Sequence, residues 1–291
     1  MAIDNFIPEI WSARLLENLR KAHVAANLCN RDYEGEIRRA GDVVHINSFS
    51  PITVGTYTKN TDMSAAQTLT GAQTNLQIDQ QKYFNFQIDS IDRAQQIPKI
   101  MDAAMRDAAY GLRDVADQYI LGLYTGAPAD NMIGTDTTPA TTYTAATEAY
   151  NNLVKLATIL DENNVPDESR WVVAPPWFLS LLLLDDRFVK LEVDAAGELE
   201  MRNLVGYAAG FRVYKSNNIP TATGTGSTTL YHVIAGYDQS ITYAEQIVDV
   251  QSYVPELRFA DAVKGLHVYG AKLVRPATLA VHTVARPTAL I

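Results

Sequence analysis

The sequence is short of the features that mark most enzymes and secreted proteins. Its one cysteine, Cys29, cannot form a disulfide within the chain. Basic residues number 24 against 33 acidic ones, so the net charge is −9 and no basic surface for gripping phosphates is expected. The longest apolar run, around Trp177–Leu184, is well short of the roughly 20 residues that span a bilayer. These absences argue against disulfide scaffolds, tight nucleic-acid binding and a membrane segment.

The start of the sequence also lacks a secretory pattern. Met1 is not followed by a basic, then apolar, then small-residue layout. Together with the single cysteine, this predicts a protein made and kept in a reducing cytoplasm. Hydrophobic residues make up 47% and charged residues 20% of the 291 residues, an ordinary globular composition. A chain of this length predicts one discontinuous domain or two coupled ones.

Motifs for metal, cofactor or nucleophilic chemistry are missing. There is no G-x-S-x-G elbow, P-loop or dinucleotide-binding glycine pattern. The five histidines have no metal-ligand spacing to one another, to Cys29 or to a carboxylate: His23, His45, His232, His267 and His282. We therefore predict no metal, no cofactor and no catalytic residue, and interpret His45, His267 and His282 as ordinary strand residues.

Two adjacent carboxylate pairs, Asp161 with Glu162 and Asp185 with Asp186, are the remaining candidates for acid/base work. Both fall at predicted helix ends, where solvated side chains are common. We interpret them as exposed termini, and Cys29 as a small packing residue.

The most informative feature present is an extended segment from Val43 to Asp89. Between Val43 and Ile78 only Lys59 and Asp62 carry charge. From Asn75 to Asp89 apolar residues alternate with polar ones, the pattern of a strand with one buried face. Such a strand would span roughly 45 to 50 Å, more than a small domain covers. We expect part of it to lie against another molecule.

The remaining pattern mixes helices and strands without strict alternation, which predicts an α+β fold. Predicted helices cover Pro8–Leu28, Pro98–Tyr124, Ala145–Asn163 and about Pro176–Leu184. Predicted strands are Val43–Phe49, Trp171–Ala174, Phe211–Tyr214, Leu230–Ile234 and stretches inside Gly265–Val284, with extended chain at Ile52–Thr58, a loop tip at Lys59–Asp62 and a polar loop at Thr221–Thr229.

The order of these pieces resembles the major capsid protein of tailed bacteriophages, whose fold encapsulins and herpesvirus capsid floors share. Five segments carry the resemblance: Phe6–Leu28 (FIPEIWSARLLENLRKAHVAANL), Gly41–Tyr57 (GDVVHINSFSPITVGTY), Phe84–Ala94 (FNFQIDSIDRA), Gly206–Pro220 (GYAAGFRVYKSNNIP) and Phe259–Pro276 (FADAVKGLHVYGAKLVRP). No single one is diagnostic, but all five occur in the family's order.

The resemblance implies a division of the chain into the parts of that fold. These are an N-terminal arm (1–40), an extended loop built as a long β-hairpin (41–90), a spine helix with the first part of the peripheral domain (91–128), an axial domain (129–244) and the second part of the peripheral domain (245–291).

The implied function is structural. Copies of the chain would form the pentamers and hexamers of an icosahedral shell around double-stranded DNA, which is held without sequence-specific binding. Assembly in the host cytoplasm and residence in the virion are expected, with a portal protein as a partner and room for a decoration or cement protein. The N-terminal arm starts at once, without a fused scaffolding segment, so a separate scaffolding protein is expected.

Contacts between subunits are expected along the extended loop and the N-terminal helix. The candidate contact residues are Trp11, Leu15, Thr56, Tyr57, Lys59, Asn60, Tyr83, Phe84 and Phe86. Whether Lys59 also forms a covalent link to a neighbour is left open; an exposed loop lysine is ordinarily just solvated. Deleting Thr53–Gln77 is expected to abolish assembly and leave a folded body.

Three alternatives remain. An encapsulin-type nanocompartment shell shares the fold but encloses a cargo enzyme. A cytoplasmic hydrolase with an unrecognised site would use the long loop as a lid. A tail or adhesin protein would form trimers or tubes.

Overall fold

The computed structural model describes residues 24–33, 43–49, 52–60, 62, 65–68, 71–89, 100–138, 143, 147–185, 204–256 and 260–287. Its α-helices are α1 (Ile100–Gly122), α2 (Thr147–Glu162) and α3 (Pro176–Leu183). Within the described ranges, no helix is long and apolar enough to cross a membrane. Helices and strands mix as the α+β prediction requires.

Twelve strands lie in the described ranges and form three sheets. They are β1 (Val43–Phe49), β2 (Gly71–Gln77), β3 (Gln80–Asp89), β4 (Met132–Ile133), β5 (Arg170–Ala174), β6 (Leu204–Ala208), β7 (Phe211–Lys215), β8 (Thr221–Thr223), β9 (Thr229–Tyr237), β10 (Ile241–Tyr253), β11 (Ala260–Leu273) and β12 (Ala280–Ala285). The sheets are β1-β2, β10-β11-β3, and a larger one ordered β4-β12-β9-β5-β7-β6, with β8 paired to the start of β9.

The larger sheet is covered on both faces. Along β5, Trp171 and Val173 face the core beside α1, whereas Val172 and Ala174 face α2 and α3. All five residues of β5 are buried. A strand covered on both sides reads as a continuous apolar run, which explains why its sequence does not alternate.

Helix α1 joins the larger sheet to the three-stranded one. Its apolar side chains recur with helical spacing. Near its start, Met105 and Leu112 pack with Val250 and Val263 of the three-stranded sheet. Near its end, Ile120 packs in the core that the larger sheet shares with Tyr243 and Tyr269. One helix therefore spans both halves of the molecule, as the predicted spine helix requires.

The β1-β2 hairpin packs against the three-stranded sheet through one face. Its buried side chains are Val44, Ile46 and Leu76, which contact Ala244 of β10 and Val268 of β11. The strands pair in antiparallel register from Val43 opposite Gln77 to Phe49 opposite Gly71. The root of the extended loop is therefore part of the body.

The prediction of a single strand from Asn75 to Asp89, with its alternation interrupted at Gln80, Lys82 and Tyr83, is wrong. The chain leaves β2 at Gln77 and starts β3 at Gln80, because β2 pairs with β1 and β3 pairs with β11. The apolar alternation continues across the break since both strands bury the same parity of residue. Removing Thr53–Gln77 would consequently delete β2 along with the loop.

Three other expectations need correction. The end of the predicted helix Pro8–Leu28 is a 3-10 turn at Ala26–Leu28, and its residues before Val24 lie outside the described ranges. The polar loop Thr221–Thr229 contains β8 and a 3-10 turn. Strand β10, 13 residues long, was not predicted, because its inward-facing Glu245 interrupts the apolar pattern.

Candidate assembly surfaces

Residues 52–68, here called the distal loop, connect β1 to β2. Every residue described in it, 52–60, 62 and 65–68, is exposed. The exposed fraction is 71% for Ile52, 92% for Val54 and 67% for Tyr57. The Thr53 backbone N–H donates a hydrogen bond across the loop to Gln67 Oε1 at 2.9 Å. Apolar side chains collected on an exposed segment are typical of an interaction surface.

The predicted contact residues of the distal loop are all accessible. Thr56, Tyr57, Lys59 and Asn60 lie at or next to the turn and are exposed. Asn60 has a positive φ of 65°, a conformation that asparagine tolerates better than most residues. Lys59 is therefore presented to solvent at the turn, where an approaching molecule can reach it.

The three predicted contact residues of β3 face two ways. Tyr83 is 79% exposed on the outer face of the three-stranded sheet. Phe84 and Phe86 lie on the opposite face, half-buried against the Met105–Leu112 cluster under α1. Phe84 lies against Gly265 so closely that a Cβ there would stand 2.4 Å from its ring. These two phenylalanines are therefore partly covered within their own chain, whereas Tyr83 is open to solvent, and the contact role of all three stays a prediction.

Trp11 and Leu15, the predicted contact residues of the N-terminal arm, lie outside the described residues. Their contact role stays a prediction.

Two of the buried histidines, His267 and His232, lie beside polar partners that the sequence did not predict. His267 Nε2 lies 3.2 Å from Glu245 Oε2, which also accepts a hydrogen bond from the Tyr243 hydroxyl at 2.8 Å. Arg31 forms an ion pair with the same carboxylate. Sequence separations of 22 and 214 residues hid the contacts that His267 and Arg31 make with Glu245. Together with Tyr243 they satisfy one buried carboxylate with three donors, which is a structural arrangement.

His232 is the second of these histidines. Its Nδ1 lies 3.0 Å from Thr283 Oγ1, and its Nε2 lies 3.6 Å from Asp136 Oδ1. Burial lowers the pKa of His232, with Asp136 opposing the shift. In the part of the chain that the structure describes, no three His, Cys, Asp or Glu side chains are grouped so as to hold a metal ion.

The carboxylate pairs are placed differently from each other. Asp161 is exposed and contacts Arg170, in agreement with a solvated helix end. Asp185 is 2% exposed, so its interpretation as a solvated residue is wrong. Asp186 lies outside the described residues.

Cys29 is a packing residue, as expected. It is buried in the core beside α1, its thiol donates to the Ala25 carbonyl oxygen at 3.2 Å, and burial raises its pKa. A thiol held protonated in this way is a poor nucleophile.

Comparison with known proteins decides the family. The family model described as phage capsid protein matches residues 71–282, about three quarters of the chain. The chain belongs to this family of phage capsid proteins. No curated protein matches the sequence closely enough to add to this.

Solved capsid structures share the fold over most of their length. A structure from Mycobacterium phage Che8 is 29% identical, covers 96% of this chain and 98% of its own, and has a TM-score of 0.66. The capsid of Ralstonia phage GP4 is 14% identical over 89% of this chain and 87% of its own, with a TM-score of 0.68. A virus-like particle from Pyrococcus furiosus is 12% identical over 94% and 98%, with a TM-score of 0.58. The predicted fold of tailed-phage major capsid proteins is confirmed.

In this capsid fold the distal loop stands apart from the buried core of the body. The body contains the buried core and the distal loop projects from one hairpin. The charged residues described in the loop are Lys59 and Asp62 alone. The chain thus presents a neutral, partly apolar extension, which is the chemistry suited to contact with another protein.

Proposed function

We propose that the chain self-assembles into the pentamers and hexamers of an icosahedral shell that encloses the double-stranded DNA genome of a tailed phage. The observation that carries this proposal is the distal loop, with Val54 at 92% and Ile52 at 71% exposed in a family of shell proteins. When a neighbouring copy covers such exposed apolar side chains, the contact is stabilised by about 25 cal/mol for each Å² of apolar surface removed from water.

The net charge of −9 supports a shell wall that does not grip DNA. The domain limits at residues 40, 90, 128 and 244 stay predictions, as do a scaffolding, a portal and a decoration protein as partners. Assembly in the host cytoplasm is part of the same proposal.

A loop replacement tests the proposal. Because Phe49 pairs with Gly71, the chain leaves and re-enters the hairpin at adjacent positions. Residues 52–68 can therefore be replaced with Gly-Asn-Gly without moving β1 or β2. We expect a variant with unchanged urea unfolding that forms no shells by electron microscopy. Shells at normal yield would contradict the proposed interface.

The contents and activity of the shells separate the alternatives. Nucleic acid inside particles isolated from infected cells is the expected result. A protein cargo instead would indicate an encapsulin-type nanocompartment. Turnover of an ester, amide or phosphate substrate by the unassembled chain would support the hydrolase alternative, against which the capsid family argues.

A further inference from the structure

Residues Val24–Tyr33, here called the strap, cross the junction between α1 and the start of β10. Four of its residues are buried in the core that α1 shares with the larger sheet and the three-stranded sheet: Ala25, Ala26, Leu28 and Cys29. The strap is also the segment that connects the N-terminal residues to the body.

Backbone and side-chain contacts tie the strap to β10. The Asn30 N–H donates to the Ile241 carbonyl oxygen and the Tyr243 N–H donates to the Asn30 carbonyl oxygen, both at 2.9 Å. One residue further on, Arg31 pairs with the buried carboxylate of Glu245. The second half of the strap is thus held by an isolated bridge and an ion pair.

The first half of the strap is held by a carboxylate from α1. Asp117 is 2% exposed, and its Oδ2 accepts a hydrogen bond from the Val24 backbone N–H at 3.2 Å. Its Oδ1 is buried and has no hydrogen-bond partner among the described residues. A buried carboxylate with one unpaired oxygen is costly while ionised, and that cost falls when the group takes up a proton, because the buried charge is removed.

We propose that Asp117 makes the strap a proton-sensitive lock, closed more firmly when Asp117 is protonated and opened more readily when it is ionised. This inference concerns the chain itself and does not depend on shell assembly.

The electrostatic surroundings of Asp117 support the lock. Burial raises the pKa of Asp117 to about 6, while the Val24, Ala25 and Ala26 amides and the Arg113 guanidinium on α1 act to lower it. Within the strap, the charge of Asp117 acts on the buried Cys29 thiol, and so do the charges of Arg31 and Asp238. Burial therefore raises the pKa of Asp117 by more than the backbone amides and Arg113 lower it.

The direction of the pH effect follows from these values. An open strap exposes Asp117 to water, where its pKa returns to about 4. The closed state binds the proton more tightly, so raising the pH through 6 removes stability from the closed state. From pH 5 to pH 8 the equilibrium constant for opening is expected to rise about tenfold.

Cys29 supplies the reporter for this equilibrium. It is the only cysteine of the chain and lies buried within the strap. Its labelling rate by a pyridyl disulfide, divided by the rate for the urea-unfolded chain at the same pH, gives the opening constant. We expect a tenfold increase from pH 5 to pH 8 in the unassembled full-length protein.

Two variants assign the effect to one residue. Asp117→Asn keeps the size but cannot ionise, so its opening constant should not change with pH. Asp107→Asn is the matched control, an exposed carboxylate on the same helix, and should retain the tenfold change. A flat profile in the wild-type protein would overturn the lock, as would an unchanged pH dependence in Asp117→Asn. If Asp117→Asn does not fold, Asp117→Ser, which likewise cannot ionise, takes its place in the same comparison with the wild-type protein.

Discussion

Gly270 of β11 passes directly under the Gln77 carbonyl oxygen of β2, so closely that a Cβ at position 270 would stand 2.4 Å from that oxygen and 3.0 Å from the Ile78 Cα. Both obstacles are backbone atoms, which cannot rotate away. Beside this crossing, Lys272 Nζ donates to the Asn75 carbonyl oxygen at 2.9 Å. The hairpin that carries the distal loop therefore lies closest to the three-stranded sheet at Gly270.

We expect Gly270→Ala to lower the free energy of unfolding by about 2 kcal/mol or more, because β2 must move off β11 to admit the methyl group. Urea denaturation measures the change. Gly55→Ala is the control, since a Cβ at Gly55 meets nothing within 4 Å. A loss below about 0.5 kcal/mol at Gly270 would show that the crossing adapts freely.

Arg170 provides a second test of the body. Its guanidinium is 3% exposed and donates to the carbonyl oxygens of Val165 and Pro166 as well as to two carboxylates. Arg170→Lys should cost about 2 kcal/mol, because an ammonium cannot reach both carbonyls. The carboxylate of Asp167 is 89% exposed, so Asp167→Asn should cost less than about 0.5 kcal/mol. Equal costs in urea denaturation would contradict this ranking.

His282 predicts acid sensitivity of the larger sheet. It is 1% exposed, and burial, assisted by Lys155, lowers its pKa to about 4. Because the folded pKa lies below the unfolded value near 6.5, stability is present above pH 6.5 and is lost as the pH falls towards 4. From pH 8 to pH 5 this residue should remove about 2 kcal/mol.

His282→Leu should lack that loss when unfolding is compared at the two pH values. The exposed His45→Gln variant serves as the control and should behave as the wild-type protein does. A pH dependence that is the same with and without His282 would contradict the assignment. Asp117 acts in the opposite direction, so only the difference between each variant and the wild-type protein is informative.

The helices and the covered strands could be predicted from the sequence because one chemical rule governs each. The spacing of Met105, Leu112, Ala116 and Ile120 predicts α1, and the structure places its ends at Ile100 and Gly122. The apolar run Trp171–Ala174 predicts a strand covered on both faces. Strand β10 was not predictable in this way, because Glu245 is buried by partners distant in sequence.

The exposed surfaces, too, could be predicted from the sequence only in part. The turn-forming residues from Lys59 to Asp62 predict a loop tip, and Lys59 and Asn60 are exposed there. The alternating pattern could not say which molecule covers Phe84 and Phe86, since a helix of the same chain and a neighbouring copy satisfy the same apolar face. The long-range pair of Asp117 and Val24 leaves no sequence signal at all, because it joins a side chain to a backbone amide 93 residues away.

Shell formation by the purified chain tests the central claim most directly. Electron microscopy and light scattering should show closed icosahedral particles of megadalton mass for the wild-type protein, and only folded, unassembled subunits when residues 52–68 are replaced with Gly-Asn-Gly. Open tubes or trimers from the wild-type chain, or closed shells from the replaced one, would contradict the account.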